Sequence, residues 1–201
     1  MRNILPTDDL VLRPLLHTDA PALFELGGDI RVSRMLQSHG NPFSLLSAEF
    51  MIMDFIMRQR RGLAFAYAVS RAQNTQLIGM VDLCKTHMES PFNLNIWLGR
   101  PFWKRGYARQ AVQSVLQEAQ HSLGANRIYA NVFADNIAGL SLLRSLGFNA
   151  IGASRSAFSM ARMENASVLP FAIDLNQMTC ATKAHIEGET LDKLGKYRHE
   201  V

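Results

Sequence analysis

Cysteine is scarce: Cys84 and Cys180 are the only two in 201 residues. Two cysteines cannot staple a disulfide framework, and they match neither a CxxC pair nor a zinc-ligand spacing. Both are read as core or incidental thiols of a reducing compartment. Long apolar runs are also missing. The most apolar stretches, residues 50–57 and 63–69, fall far short of the ~20 residues a membrane helix needs. The opening MRNILPTDDL turns acidic too soon to read as a secretory leader. A cytoplasmic protein with no membrane association is therefore expected. The six histidines are scattered, with no i,i+3 or i,i+4 pair, so no metal site is expected. Charge of one sign is modest: 21 Lys and Arg against 17 Asp and Glu give +4. That balance permits nucleic acid or small anions as partners without requiring either.

What the chain has is a core. Hydrophobic residues make up 48% and charged residues 19%, which excludes intrinsic disorder and suits one domain of this length. Leu10–Pro14 reads as a first strand. Thr18 is placed as the N-cap of a helix running to Leu26, with Asp19 in its first turn and Gly27-Gly28 as its stop. Ser44 or Ser47 caps a second helix reaching Arg61, with Ala48, Ile52, Phe55 and Ile56 at helical spacing. Residues 63–71 and 76–85 form a hairpin, and Asn93–Leu98 is a further strand.

A helix follows over 106–122, with Ala111, Val112, Val115, Leu116 and Ala119 on its apolar stripe. Arg127–Phe133 is a strand apolar enough to be buried. Asp135 or Asn136 caps the next helix, which stops at Gly147. Strands at 149–158 and 168–174 complete the domain. Residues 176–201 read as a polar appendage, with a short helix near 190–196. The order predicts an α/β (α+β) fold: a mixed, mostly antiparallel sheet flanked by helices, with a β-loop-α unit at its centre.

That central unit, from Ile96-Trp97-Leu98 through Trp103-Lys104-Arg105-Gly106-Tyr107-Ala108, carries the sharpest chemical signal. The first amides of a helix have no internal partner, and with the helix dipole they attract an anion. Gly106 and Ala108 keep side chains out of the way, while Lys104 and Arg105 add positive charge. The loop is neither a Walker A nor a GxGxxG motif. Taken alone, Gly106 and Ala108 suit an ordinary helix start with solvated basic residues better than an anion site.

This segment resembles the acetyl-CoA-binding motif of the GCN5-related N-acetyltransferases (GNAT), in the version of the RimJ/RimL-type subfamily. Leu10-Val11-Leu12-Arg13-Pro14 with Asp19-Ala20 is similar to that subfamily's opening strand and helix. Asn131 to Phe148, including Asn136 and Leu143-Arg144-Ser145-Leu146-Gly147-Phe148, is similar to its last conserved block. The resemblance spans residues 8–175 and implies a GNAT domain over 1–175.

The resemblance implies that the strand Asn93–Leu98 splays from Arg127–Phe133 and that the pantetheine arm of acetyl-CoA lies between them. The arm would pair with backbone near Ile96, Trp97 and Leu98. The pyrophosphate would rest on the amides of Lys104–Ala108, and Asn136 would hydrogen-bond the arm. Trp103 stands where the motif has Gln or Arg, and Lys104 where glycine is common. Gly139 replaces a serine, Leu143 replaces a tyrosine acid, and Asn93 replaces a glutamate.

The reaction so implied is N-acetylation of a primary amine, on a protein N-terminus or a small molecule, by direct attack in a ternary complex. A group near the thioester must accept the amine's proton. Asp82, His87 and Glu89 are the candidate bases; His39 is a further one, and water alone is an alternative. Asp82 either faces the cleft or reaches water at a strand end. A homodimer is compatible with the family. Two other readings stand beside this one. The missing tyrosine, serine and glutamate suit a non-catalytic CoA-binding regulatory module. The basic charge suits a nucleic-acid-binding protein, which would bind with steep salt dependence.

Overall fold

The computed structural model describes residues 1–37 and 39–177. The helix expected near 190–196 lies outside the described residues. A nine-stranded sheet runs in the order β1-β2-β3-β4-β5-β6-β9-β7, with β8 also paired to β9. The strands are β1 (Leu5–Pro6), β2 (Leu10–Pro14), β3 (Ala64–Arg71), β4 (Leu77–Cys84), β5 (Asn93–Leu98), β6 (Arg127–Phe133), β7 (Asn149–Ala150), β8 (Arg155–Ser159) and β9 (Glu164–Asp174). Every pairing is antiparallel except β5 with β6. The helices are α1 (Ala20–Gly27), α2 (Ile30–Ser33), α3 (Leu45–Arg60), α4 (Tyr107–Leu123) and α5 (Ile137–Ser145).

Alternation along the strands sorts side chains onto two faces. Tyr67 and Val69 join a large core with Val112, Val115 and Leu116 of α4 and Leu140 and Leu143 of α5. Ala66 and Ala68, between them in sequence, join a smaller core with Leu23 of α1 and Ala48 and Ile52 of α3. The apolar stripes on α3 and α4 therefore mark the two opposite layers. Among the described residues, no helix is long and apolar enough to cross a membrane.

Several local expectations need correction. Thr18 does not cap α1, which is preceded by a single 3-10 turn over His17–Asp19. The Asp19 carboxylate instead accepts the Leu16 amide at 2.8 Å and both terminal nitrogens of Arg13, at 2.8 and 2.7 Å. With Asp19 so held, Pro21 enters at the start of the helix, where its missing N–H costs nothing. The strand expected over 149–158 is broken into β7 and β8, with Gly152 between them at φ 73°. β9 begins at Glu164, four residues before the expected start. β1 and α2, too short to leave a periodic signal, were not expected.

Candidate active site

The sheet opens at its middle. β5 pairs with β4 along its whole length, from Asn93↔Cys84 to Leu98↔Gly79. Toward β6 it pairs only at Asn93↔Tyr129 and Leu94↔Ala130. β6 meanwhile continues on β9 to Phe133. A wedge is left between residues 95–98 and 131–133. The Gly99 amide donates to the Ile78 carbonyl at 2.9 Å, and the Tyr129 amide to the Phe92 carbonyl at 2.9 Å. Those bonds fix the alternation: Trp97 and Asn95 spend their backbone groups on β4, and Ile96 and Leu98 turn theirs into the wedge. The Leu98 carbonyl accepts the Trp103 indole N–H at 2.7 Å, which folds the following loop back over the strand end.

β6 runs parallel to β5, so the connecting helix α4 must return along them. Its first turn consequently stands at the open end of the wedge. No side chain caps it. Gly106 sits at φ 78°, and a Cβ added there would meet nothing within 4 Å. The start of α4 therefore faces free space. Lys104 takes φ 60°, a left-handed conformation that a side chain disfavours and that accounts for the family's glycine there. Lys104 and Arg105 are exposed, whereas Arg109 donates to Ser145 Oγ at 2.9 Å and braces α4 on α5. The combination of wedge, open glycine and uncapped amides fits an extended arm ending in a phosphate.

Asn136 lies just beyond β6. Its Oδ1 accepts the Gly139 amide at 2.9 Å and caps α5, leaving Nδ2 as its outward donor. A Cβ on Gly139 would come within 2.9 Å of both Asn136 Nδ2 and Val132 Cγ2. The serine-to-glycine departure is thus matched by the close approach of Asn136. Leu143 is buried in the α4–α5 core.

The candidate bases fall in different places. Asp82 neither reaches water nor faces the wedge directly. It is 2% exposed, and burial pushes its pKa up to about 6. Its Oδ1 accepts Asn95 Nδ2 at 2.8 Å and the Cys84 thiol at 3.0 Å. Burial, with Asp82 alongside, pushes the Cys84 thiol up. Asn95 itself is exposed at the point where the wedge begins. His87 and Glu89 are exposed in the loop between β4 and β5, and no hydrogen bond links them to Asp82 or Asn95. His39 is enclosed, stacked on Phe43 at 4.8 Å and edge-on to Trp97 at 5.7 Å. Burial pushes its pKa down to about 4, so it is neutral at physiological pH and poorly basic. Among the described residues, no group of three His, Cys, Asp or Glu comes together to hold a metal.

Further polar side chains stand beside the wedge that were not among the expected site residues. Asn93 lies two residues before Asn95, on the same face of β5. The Asn131 amide on β6 donates to its Oδ1 at 3.2 Å, and Arg155 on β8 donates to Asn131 Oδ1 at 2.5 Å. A two-residue period in sequence puts Asn93 and Asn95 on one side, but only the sheet order brings Asn131 and Arg155 beside them. Arg162, in the β8–β9 turn, holds Asp135 with two bonds of 2.9 Å and donates to the Arg34 carbonyl at 2.7 Å. It closes the α2 segment against the end of β6.

A strand pair splayed before an uncapped helix is the frame of an acyltransferase of the GNAT type, and the comparisons agree. The acetyltransferase (GNAT) domain family matches residues 9–149, and the chain belongs to that family. The N-acetyltransferase YoaA of Bacillus subtilis (strain 168), itself uncharacterized, is 31% identical over 160 residues, covering 77% of this chain and 88% of its own. RimL, a ribosomal alpha-N-protein acetyltransferase solved with coenzyme A, superposes with a TM-score of 0.73 at 18% identity. The match covers 85% of this chain and 97% of RimL. The microcin C7 self-immunity acetyltransferase MccE, solved with acetyl-CoA and AMP, gives 0.72 at 17% identity, over 84% and 93%. These two likenesses carry the fold.

Proposed function

We propose that the protein transfers acetyl from acetyl-CoA to a primary amine by direct attack in a ternary complex. The observation that carries this reading is the wedge between β5 and β6, opening onto the uncapped start of α4. In this reading the backbone of Ile96 and Leu98 pairs with the pantetheine arm, Trp97 holds the strand on β4, and Asn136 donates from Nδ2. Amides of residues 104–108 (Lys104, Arg105, Gly106, Tyr107 and Ala108) receive the pyrophosphate, and Trp103 pins the loop.

Acetyl-CoA supplies an activated thioester carbonyl. The nitrogen–carbon bond forms as the carbon–sulfur bond breaks; the amine gives up one proton and the departing thiol takes one. The free Leu98 N–H, turned into the wedge, is suited to steady negative charge on the thioester oxygen. Of the three candidate bases, Asp82 is the one linked to the wedge, and it acts there as a positioning residue through Asn95. It stands behind Asn95, whose Oδ1 is left to accept a hydrogen bond from the amine. Sealed behind Asn95, the Asp82 carboxyl sets the charge beside the amine, and the amine's proton passes to water.

Thermal unfolding with and without acetyl-CoA tests the reading. At about 100 times its dissociation constant, a ligand adds ~2.7 kcal/mol, a rise of roughly 5–10 °C for a domain of this size. The rise is expected for the natural chain and is lost in a folded Ala108→Glu variant. Free thiol released when an amine is added then separates a transferase from a CoA-binding module. Absence of any rise at millimolar acetyl-CoA overturns the reading.

A further inference from the structure

The row of side chains across the wedge carries the inference furthest. Asn95 presents an unfilled amide oxygen at the point where β5 leaves β6, with the buried Asp82 carboxyl behind it. Two residues back on the same strand, Asn93 accepts from Asn131 of β6, and that chain ends on Arg155. Arg155 is exposed and has no carboxylate partner among the described residues. Arg162, close by, has its charge met by Asp135. The row is therefore polarised: acceptor oxygen and carboxyl at the β5 end, an unmatched guanidinium at the β8 end.

Side-chain alternation puts the whole row on one face. Asn93 and Asn95 share the side of Trp97, which packs in the α1–α3 core. Asn131 lies opposite Ala130 and Val132, which point into the α4–α5 core. Arg155 reaches across β9 to Asn131 on β6, the strand beside β5. Adjacent strands are about 5 Å apart, so Asn95 Oδ1 and the guanidinium stand roughly 5–10 Å apart, a span filled by an amine and a carboxylate a few bonds apart with a hydrogen bond at each end. Arg155 already uses one donor on Asn131, which fixes the guanidinium and leaves other donors of its planar fork for a carboxylate.

We infer that the acceptor is a primary amine carrying its own carboxylate a few bonds away, with the amine received at Asn95 and the carboxylate on Arg155. This rests on the acetyl-transfer reading and names the substrate class of that site. Free amino acids and peptide N-termini with an acidic first residue share this chemistry. Arg155 is here a specificity residue, and Asn131 positions it.

The test is a set of matched acceptors assayed with acetyl-CoA: α-amino acids, β-alanine and 4-aminobutyrate, each beside its carboxamide, and peptides beginning with Asp beside peptides beginning with Asn. The carboxylate member of each accepted pair is expected to be favoured at least about tenfold in kcat/KM, the size of a charge-assisted contact. Arg155→Ala is expected to abolish that preference by raising KM for the carboxylates, with kcat and the acetyl-CoA-induced rise in Tm unchanged. Arg155→Lys retains part of it. The small-molecule and peptide arms identify the source of the carboxylate. Equal use of both members of every pair, or a preference that survives Arg155→Ala, overturns the inference. Failure to acetylate any of these amines while acetyl-CoA still raises Tm also overturns it, leaving cofactor binding intact. Failure to bind acetyl-CoA removes the underlying reading first.

Discussion

The two faces of the central sheet bury polar groups on different terms. On the α4 face, the deeply buried Glu118 is fully met: the Arg2 amide reaches Oε1 at 2.6 Å, the Arg2 guanidinium Oε2 at 2.7 Å, and Ser122 Oγ donates to Oε1 at 2.5 Å. Burial alone would raise its carboxyl, and those bonds together outweigh it and bring the pKa down to about 2. On the α1–α3 face, polar groups are buried with their needs partly unmet. Among the described residues, both ring nitrogens of His39, Ser33 Oγ and Trp97 Nε1 have no hydrogen-bond partner, and burial holds Asp82 above its ordinary pKa. Unpaired buried groups cost stability. The Glu118 cluster ties the N-terminal segment to α4, and the other face accepts a cost beside the wedge where chemistry is proposed.

Three substitutions sharpen or break that contrast. Leu116→Ala, in the packed α4 face, is expected to cost about 2–5 kcal/mol by leaving a cavity; a smaller loss in denaturant unfolding would show that this layer is not the tighter one.

Asp82→Asn is expected to act in the opposite direction. The folded protein holds a proton on Asp82 more tightly than the unfolded chain does. Stability from this group therefore falls as pH rises from about 4 through about 6. The amide removes that fall and gains roughly 1–3 kcal/mol at pH 8, while the limb near pH 6 in the profile of kcat/KM disappears. Unfolding midpoints at pH 5 and pH 8, read beside the rate profile, check both. An unaltered rate profile would show that Asp82 takes no part in the chemistry at the wedge.

The smallest change is expected for His39→Phe, within about 1 kcal/mol at pH 7, because the aromatic stack on Phe43 is kept and two unpaired nitrogens are removed. His39 sets the reverse slope. The unfolded chain binds its proton more readily, so stability is lost as pH falls from 6.5 toward about 4. Phenylalanine should flatten that acid limb in unfolding scans. A large loss at pH 7 would mean that His39 has a partner its ring nitrogens require.

The anion cradle was legible in the sequence because it rests on local features, whereas the wedge was expected only from the family resemblance. A strand ending at Leu98, a glycine at 106 and an apolar stripe beginning soon after it are sufficient to place uncapped amides at a strand's end. The Asn136 cap was legible for the same reason. Asp82 was recognisable as an acid in an apolar strand, but its setting was not. Its partner Asn95 is thirteen residues away, and only the β4–β5 register sets the two side by side. His39 was indistinguishable in sequence from an exposed loop histidine until Phe43 and Trp97 closed around it.

By itself, the sequence determined the order of the main elements, the two apolar layers and the start of α4, because turns, caps and periodicity act within a few residues along the chain. Tertiary structure alone decided that β5 parts from β6 after Leu94, that Asp82 is reached through Asn95, and that Asn93, Asn131 and Arg155 stand in one row. Those outcomes depend on strand register and sheet order. A shift of one residue in register would send every one of these side chains to the opposite face.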